Sequence, residues 1–176
     1  MVRNQKLATI VTAGVIAALY AALTLALAPI SYGAVQMRVS EAFTLLPVLS
    51  VSGVWGVTVG CMISNGFGVL LGTNILGPVD IIVGSLATLI AALLTRKLRK
   101  IRVKNIPILA PLPPILVNAV MIGAELTFAM SPDFNLGIFA VNVLQVGLGQ
   151  ILPCYVLGLI LIYVLEKTKL DKRLFM

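Results

Sequence analysis

The residues of this sequence that could do chemistry are polar side chains set among long apolar runs. Ten candidates among those outside the clusters of basic residues are Gln36, Arg38, Glu41, Asn65, Asn74, Asp80, Asn118, Glu125, Asn142 and Gln145. An ionisable side chain at membrane depth is a candidate for a binding site or an ion path. The chain has no His, and Cys61 and Cys154 form no CxxC pair, so His-based catalysis and Cys/His metal centres are excluded. These residues predict a binding protein rather than an enzyme, with no metal and no cofactor.

The composition indicates the elements that must position these side chains. Of 176 residues, 60% are hydrophobic and 11% are charged, whereas soluble domains have about 25% charged residues. A globule of this size has too little interior for so many apolar side chains. We therefore predict an all-α integral membrane protein of the multi-pass type, located in the cell membrane.

The basic residues predict the topology. All of them except Arg38 fall in three clusters, near the N-terminus, at 96–104 and at 167–173. The positive-inside rule puts all three clusters in the cytoplasm, so an even number of spans must separate each pair. The chain is thus predicted to form one domain, residues 1–176, a bundle of six transmembrane helices with both termini cytoplasmic.

The spans follow from the apolar runs between these clusters. They are predicted at roughly 7–29, 41–54, 55–72, 78–95, 114–131 and 137–165. The stretch 41–72 is the least certain, because its two spans are short and must turn near Ser50–Gly56. One re-entrant segment plus one span is the alternative there, and it would change the parity. The first apolar run is longer than the core of a typical signal peptide, so we expect it to be a span.

This topology gathers most of the polar residues in the outer half of the bundle. Asn118 and Glu125 are seven residues apart and share a helix face, and Glu125 is the favoured binding residue. Asn65 is better interpreted as joining helices by hydrogen bonds. Asp80 also suits a helix N-terminus because of the helix dipole. The predicted pocket opens to the exterior and is lined by Gln36, Arg38, Glu41, Asn74, Asp80, Asn118, Glu125, Asn142 and Gln145.

The first span carries small residues at helical spacing. One row is formed by Ala13, Ala17 and Ala21, and an adjacent row includes Ala18 and Ala22. Such faces mark close helix–helix contact in membranes, either within the chain or with a membrane partner. The sequence has no P-loop motif, so any ATP would be used by another chain.

Two segments resemble a known family. Residues 33–42 (GAVQMRVSEA), followed by Leu46-Pro47, and residues 72–88 (GTNILGPVDIIVGSLAT) are similar to queuosine-precursor transporters of the QueT type. The resemblance implies the substrate-binding S component of an energy-coupling factor (ECF) transporter, an ATP-driven importer. Such a component has six helices and partners with a transmembrane coupling protein and two ATPase subunits. In this class it is thought to topple in the membrane with its ligand.

The resemblance also implies a ligand and a docking surface. The ligand would be a 7-deazaguanine base, such as a pre-queuosine base or queuine, and the docking surface would be Ala13, Ala17, Ala18, Ala21 and Ala22. A carboxylate, Glu125 or Glu41, could accept both N–H groups on one edge of such a base. Amides or Arg38 could donate to its carbonyl, Tyr32, Phe43 or Trp55 could stack on the ring, and Asp80 could hold a cationic substituent.

A second function remains open. The chain could be a stand-alone secondary transporter of a small polar heterocycle, coupled to protons through Glu125. Transporters of that kind often show paired inverted halves with broken helices, and no such symmetry is visible in this sequence.

Overall fold

The computed structural model describes residues 5–33, 35–131 and 133–175, and within these ranges it contains helices and no β-strand. The elements in chain order are α1 (Gln5–Ala26), α2 (Ala28–Ser31), a 3₁₀ helix (Val39–Val48), α3 (Val51–Leu70), α4 (Val79–Leu98), α5 (Leu112–Met130), α6 (Leu136–Ile151), a π-helical segment (Leu152–Gly158), α7 (Leu159–Lys167) and α8 (Leu170–Phe175). The predicted all-helical membrane class is confirmed by five helices that are long and apolar enough to cross a bilayer.

Helices α1 and α3 lie side by side and run in the same direction. A Cβ atom at Gly56 would lie 2.6 Å from the Cβ of Ile16, and one at Gly60 would lie 2.7 Å from the Cβ of Tyr20. Only glycine allows the two backbones to approach so closely. Because both helices ascend together, the chain must return along the bundle between them.

The 3₁₀ helix Val39–Val48 makes this return. Ser40 hydrogen-bonds Thr24 of α1 at 2.6 Å near the start of the return. At its far end, the carbonyl of Pro47 accepts a hydrogen bond of 3.1 Å from Arg96, at the end of α4. A 3₁₀ helix rises about 2 Å per residue, so these ten residues reach about 20 Å. The segment is too short to count among the five long apolar helices.

The turn between the second and third predicted spans lies at the start of the predicted region Ser50–Gly56, but the limit between the two spans is predicted about four residues too late. The break at 54/55 falls inside α3, which begins at Val51. The turn lies at Ser50, whose hydroxyl accepts a hydrogen bond of 3.2 Å from the backbone N–H of Gly53 and so caps the helix. Gly53 also packs directly on the backbone of Leu46 and Pro47, with 2.5 Å from its virtual Cβ to the Leu46 carbonyl carbon. The hydropathy of this stretch gives no sign of either contact.

The last predicted span is one continuous helical stretch from Leu136 to Lys167 with a π-helical segment inside it. That segment contains Pro153, which has no N–H to donate to the preceding turn. Helix α5 also begins with prolines, Pro113 and Pro114 in its first turn, where a missing N–H is tolerated.

The basic segments meet at one end of the bundle. Arg102, in the α4–α5 loop, pairs with Glu166 of α7 at 2.8 Å. The hydroxyl of Thr12 in α1 donates to the carbonyl of Leu174 in α8 at 3.3 Å. The N-terminal half of α1, the α4–α5 loop and α8 therefore lie at the same end of the bundle, as the charge pattern predicts.

Candidate functional site

Arg38 is buried at the end of the bundle opposite the basic segments. Its Nη2 forms an ion pair of 3.1 Å with Asp80, in the first turn of α4. Its Nε donates to the carbonyl of Ser31 at 3.1 Å, and its guanidinium lies 5.1 Å from the centre of the Tyr32 ring. These contacts hold the cation in one place.

Asp80 is fixed by two amides as well as by Arg38. Asn74 donates to Asp80 Oδ2 at 2.8 Å, and Asn65 of α3 donates to the Asp80 backbone carbonyl at 2.8 Å. A Cβ at Gly84 would overlap Asp80 and lie 2.7 Å from Asn65 Nδ2, so the cluster needs glycine there. The predicted helix-joining role of Asn65 agrees with this geometry.

Glu41 lies in the first turn of the 3₁₀ helix and is 1% exposed. The hydroxyl of Tyr20, on α1, donates to its Oε1 at 2.5 Å. Its Oε2 has no partner with good hydrogen-bond geometry in the described part of the chain, although the Asn118 side chain lies near enough to interact with the carboxylate. Nε2 of buried Gln36 has no partner there either. An acceptor and a donor are thus left without partners inside the bundle, where each unmade hydrogen bond is unfavourable.

A small cavity lies among these groups. It measures about 10 Å³ and is lined by Gln36, Arg38, Glu41, Gly84, Thr88, Asn118, Ile122 and Gln150. That space suits a single water, while small-molecule pockets are typically about 300–1,000 Å³. A ligand larger than water therefore needs the surrounding elements to separate. The backbone of Val35 packs against Gly149 of α6, so the segment before the 3₁₀ helix rests on the helix that carries Gln150.

Glu125 lies in a different place. It lines a groove of about 450 Å³ between the start of α4 and the second half of α5, with Leu76, Val79, Val83, Met121, Ala124, Phe128 and Ala129. Both of its carboxylate oxygens lack hydrogen-bond partners in the residues that the structure describes. Neither Glu125 nor any of its groove neighbours lines the small cavity.

The other predicted site residues take supporting positions. Asn74 and Asp80 hold Arg38 from beside the cavity. Asn142 donates to Thr127 Oγ1 at 3.1 Å and joins α6 to α5. Gln145 is half-buried and does not line the cavity.

The aromatic candidates for stacking are also distributed differently from the prediction. Trp55 is 54% exposed on the surface of α3, and Phe43 packs against the apolar core. Tyr32 already has the Arg38 guanidinium against its ring. None of the three lines the cavity.

Two residues of the site were missed from the sequence. Gln150 lines the cavity from α6, and Tyr20 orients Glu41 from α1. Gln150 could have been found by the same reasoning as Asn142, since both are amides inside an apolar run. Tyr20 carries no comparable signal, because a tyrosine in a span is common.

The two rows of small residues on α1 face different surroundings. Ala17 and Ala21 are buried, and the Ala17 backbone lies 3.0 Å from the virtual Cβ of Gly60 on α3. Ala13 is partly buried, with its carbonyl 3.0 Å from the virtual Cβ of Gly56. Ala18 and Ala22 are exposed. The first row therefore makes a contact within the chain, because the glycines of α3 pack there, and only the second row is free for another protein.

Comparisons with known proteins cover most of the chain. The model of the QueT transporter family matches residues 10–167, which include every residue that lines the cavity. A protein of Lactococcus lactis subsp. cremoris (strain MG1363), "Queuosine precursor transporter QueT", is 40% identical over 90 residues, 50% of this chain and 49% of that protein. The match thus spans about half the length of this curated relative. No solved structure matches the chain. The chain belongs to the QueT transporter family, and it is a multi-pass protein of the cell membrane.

Proposed function

We propose that this protein is the substrate-capturing S component of an ATP-driven ECF importer for queuosine precursors, which are 7-deazaguanine bases. The observation that carries the proposal is the buried cavity in which Glu41 Oε2 and Gln36 Nε2 have no partner among the described residues. The name of the Lactococcus relative supports the substrate. The family resemblance of the two segments supports the transporter class.

The proposed topology has six passes, with the 3₁₀ helix as the short second pass. The parallel course of α1 and α3 supports it, because the chain has to return between them. The basic segments share one end of the bundle, and the positive-inside rule puts that end in the cytoplasm together with both termini. Asp80 and Arg96 are 16 residues apart on α4, about 24 Å along the helix. The cavity, next to Gly84 and Thr88, then lies in the outer half of the membrane.

A 7-deazaguanine fits the chemistry of this cavity. Its ring N–H and exocyclic amine both donate from one edge, and a carboxylate can accept both in short charge-assisted bonds. Glu41 is the carboxylate with a free oxygen in the cavity. Gln36 and Asn118 can donate to the neighbouring carbonyl of the base from the other walls.

The charges of the cluster also restrict the ligand. Arg38 is paired with Asp80, so Glu41 supplies the uncompensated charge of the cavity. Glu41 would repel a ligand that carries a carboxylate of its own, whereas a neutral or cationic base would be accepted. In this proposal the ion pair between Arg38 and Asp80 stays intact when the base binds. The pair supports the wall of the site and does not open to bind the base.

The exposed side of α1 is the proposed surface for the coupling protein. Gly14 has open space where a Cβ would stand, and Ala18 and Ala22 continue the row. Small side chains there let the backbone of a partner helix come close. The ATPase subunits would act through that partner.

Binding and transport by the purified chain test this proposal. The isolated protein should bind a 7-deazaguanine in a calorimetric titration and should bind adenine far more weakly, because adenine lacks the paired donors. Uptake into proteoliposomes should require the coupling protein, both ATPase subunits and ATP. Uptake by this chain alone, driven by a proton gradient, would contradict the proposal.

The docking surface has its own test with a matched control. Ala18→Trp with Ala22→Trp should abolish uptake and leave ligand binding by the isolated chain unchanged. Leu116→Trp with Val120→Trp, at the same spacing on the exposed side of α5, should leave both unchanged. Normal uptake by the α1 variant would remove the docking surface from the proposal.

One observation favours a second function, the proton-coupled secondary transporter. Both oxygens of Glu125 lack hydrogen-bond partners within the described residues, so no neighbouring side chain in that part of the chain occupies the position of a transported proton. In that case Glu125→Gln would abolish proton-driven uptake by the chain alone. The same variant should retain ATP-driven uptake if the S-component proposal holds.

A further inference from the structure

A second cavity lies at the basic end of the bundle, far from the polar cluster of Arg38. It measures about 390 Å³ and lies between the α4–α5 loop and α7. Its lining residues are Arg102, Lys104, Asn105, Ile106, Pro107, Leu159, Ile162, Tyr163, Glu166 and Lys167. We call it the basic pocket.

Arg102 makes the frame of the basic pocket rigid. Its Nη2 and Nη1 donate to the two carboxylate oxygens of Glu166 at 2.8 and 2.9 Å. Nη1 also donates to the carbonyl of Asn105 at 3.0 Å, and Nε donates to the carbonyl of Arg99 at 3.2 Å. A two-pronged arginine–carboxylate contact fixes geometry as well as charge. The loop is thereby tied to α7.

The loop presents a lysine in an unusual backbone conformation. Val103 and Ile106 pair their backbones across a tight turn, and the two residues between them, Lys104 and Asn105, have φ angles of 49° and 67°. Asparagine adopts this left-handed conformation readily, but lysine adopts it rarely. The turn therefore holds Lys104 at the mouth of the pocket at a conformational cost.

The pocket carries an excess of positive charge. Glu166 is its one acid, and it is already paired with Arg102. Lys104 and Lys167 remain, and within the described part of the chain no ion pair involves either of them. Lys167 lies 5.3 Å from the centre of the Tyr163 ring, a contact that leaves its charge uncompensated. The formal surplus is thus two positive charges.

The rest of the pocket is apolar and leads towards the hydrocarbon. Its floor is made by Ile106, Pro107, Leu159 and Ile162, and the neighbouring surface of α7 exposes Ile160 and Val164. The pocket therefore combines cations near the ends of the apolar helices with an apolar floor beside them. Basic pockets between transmembrane helices on the cytoplasmic side suit acidic lipid headgroups.

We propose that the basic pocket binds the phosphate of an anionic phospholipid, with Lys104 and Lys167 as the cations that contact it and the apolar floor against its first acyl carbons. Charge complementarity selects an anionic lipid over a zwitterionic one, because a choline group would add a third cation beside the two lysines. The Arg102–Glu166 pair keeps the loop and α7 at the spacing that the headgroup needs.

Native mass spectrometry of the purified full chain tests this proposal. Phosphatidylglycerol should be retained as one molecule per protein at least tenfold more than phosphatidylcholine with the same acyl chains. Lys104→Gln with Lys167→Gln should reduce this retention at least tenfold. Lys6→Gln with Lys172→Gln removes the same charge from α1 and α8, outside the pocket, and should retain the lipid as the unmodified chain does.

Three results would overturn the proposal. The first is equal retention of the two lipids, and the second is an equal loss in both pairs of variants, which would reflect the overall surface charge. The third is competition by soluble glycerol phosphate at the concentration of the lipid, which would assign the pocket to a free phosphate. The melting temperature of each variant without lipid should match that of the unmodified chain, so that a loss of binding is not a loss of folding.

Discussion

Two carboxylates remote from the basic end of the bundle, Glu41 and Glu125, lie in contrasting surroundings. Glu41 is buried where five segments meet, with one oxygen held by Tyr20 and the other facing a polar cavity. Glu125 lies in an apolar groove between two helices, with neither oxygen held. A carboxylate that is oriented by one contact and free at its second oxygen is held in position to bind a ligand. A carboxylate with no orienting contact has no fixed position, so binding a ligand would first have to order it.

This contrast teaches that depth in the membrane does not by itself identify a binding residue. Both acids are far from the basic end, and both lie within apolar sequence. The difference comes from what surrounds them. Around Glu41 stand Gln36, Asn118 and Gln150, which offer donors and acceptors, whereas Glu125 has Leu76, Val79, Val83, Met121, Ala124, Phe128 and Ala129 as its neighbours.

The largest effect is expected on stability, from breaking the ion pair between Arg38 and Asp80 beside the Glu41 cavity. Arg38→Met leaves Asp80 buried without its cation, and such a loss destabilises a protein by about 3–5 kcal/mol. Unfolding of the purified protein by denaturant in detergent measures this change.

A double variant separates the lost pairing from other effects of the change. Arg38→Met with Asp80→Asn should recover most of the stability, because no buried charge remains and the amide can still accept a hydrogen bond from Asn74. A double variant as unstable as the sum of the two single ones would show that the two residues do not act as a pair.

Glu41→Gln should lower the affinity for a 7-deazaguanine about 100-fold, which corresponds to about 2.7 kcal/mol. The amide can accept only one of the two N–H groups of the base, and it lacks the charge that strengthens both bonds. Calorimetric titration gives the affinity, and the melting temperature of the variant should stay within a few degrees. An affinity within threefold of the unmodified protein would exclude Glu41 from the site.

Tyr20→Phe should weaken binding about tenfold, or about 1.4 kcal/mol, by releasing the Glu41 oxygen that the hydroxyl now orients. Tyr163→Phe removes a hydroxyl from a half-exposed ring near the basic end of the bundle and should leave the affinity unchanged. Combining Tyr20→Phe with Glu41→Gln should add little to the effect of Glu41→Gln alone. Full additivity would show that Tyr20 acts through some other contact.

Glu125→Gln should give the smallest effect, less than threefold in affinity, since Glu125 does not line the cavity. The titration used for Glu41→Gln measures it under identical conditions. A loss greater than tenfold would reverse the comparison and move the ligand into the groove between α4 and α5.

Much of the fold could be predicted from the sequence, because charge and hydropathy act over whole spans. The clustering of basic residues indicated which segments share an end of the bundle, and apolar length located the five long helices. The short second span was predicted at 41–54, but its 3₁₀ conformation and its end at Val48 were not. The apolar run continues through Ser50, and only the cap on Gly53 and the close approach to Pro47 show where the chain turns.

The site was predictable in its residue types but not in its arrangement. Gln36, Arg38, Glu41 and Asn118 line one cavity, in agreement with the prediction that they lie at the same depth in the bundle. The side of α5 that faces the cavity could not be read from spacing, because Asn118 and Glu125 share a face only approximately and Ile122 between them points inward. The same limit applies to α1. Which of its rows of alanines is buried depends on the glycines of α3, a helix that is remote in sequence but adjacent in the fold.

The most direct test is the structure of the protein with a 7-deazaguanine bound. The account predicts that the edge of the base with the ring N–H and the exocyclic amine lies within about 3 Å of the Glu41 carboxylate, with the Arg38–Asp80 pair intact beside it. A base bound instead against Glu125, in the groove between α4 and α5, would contradict it.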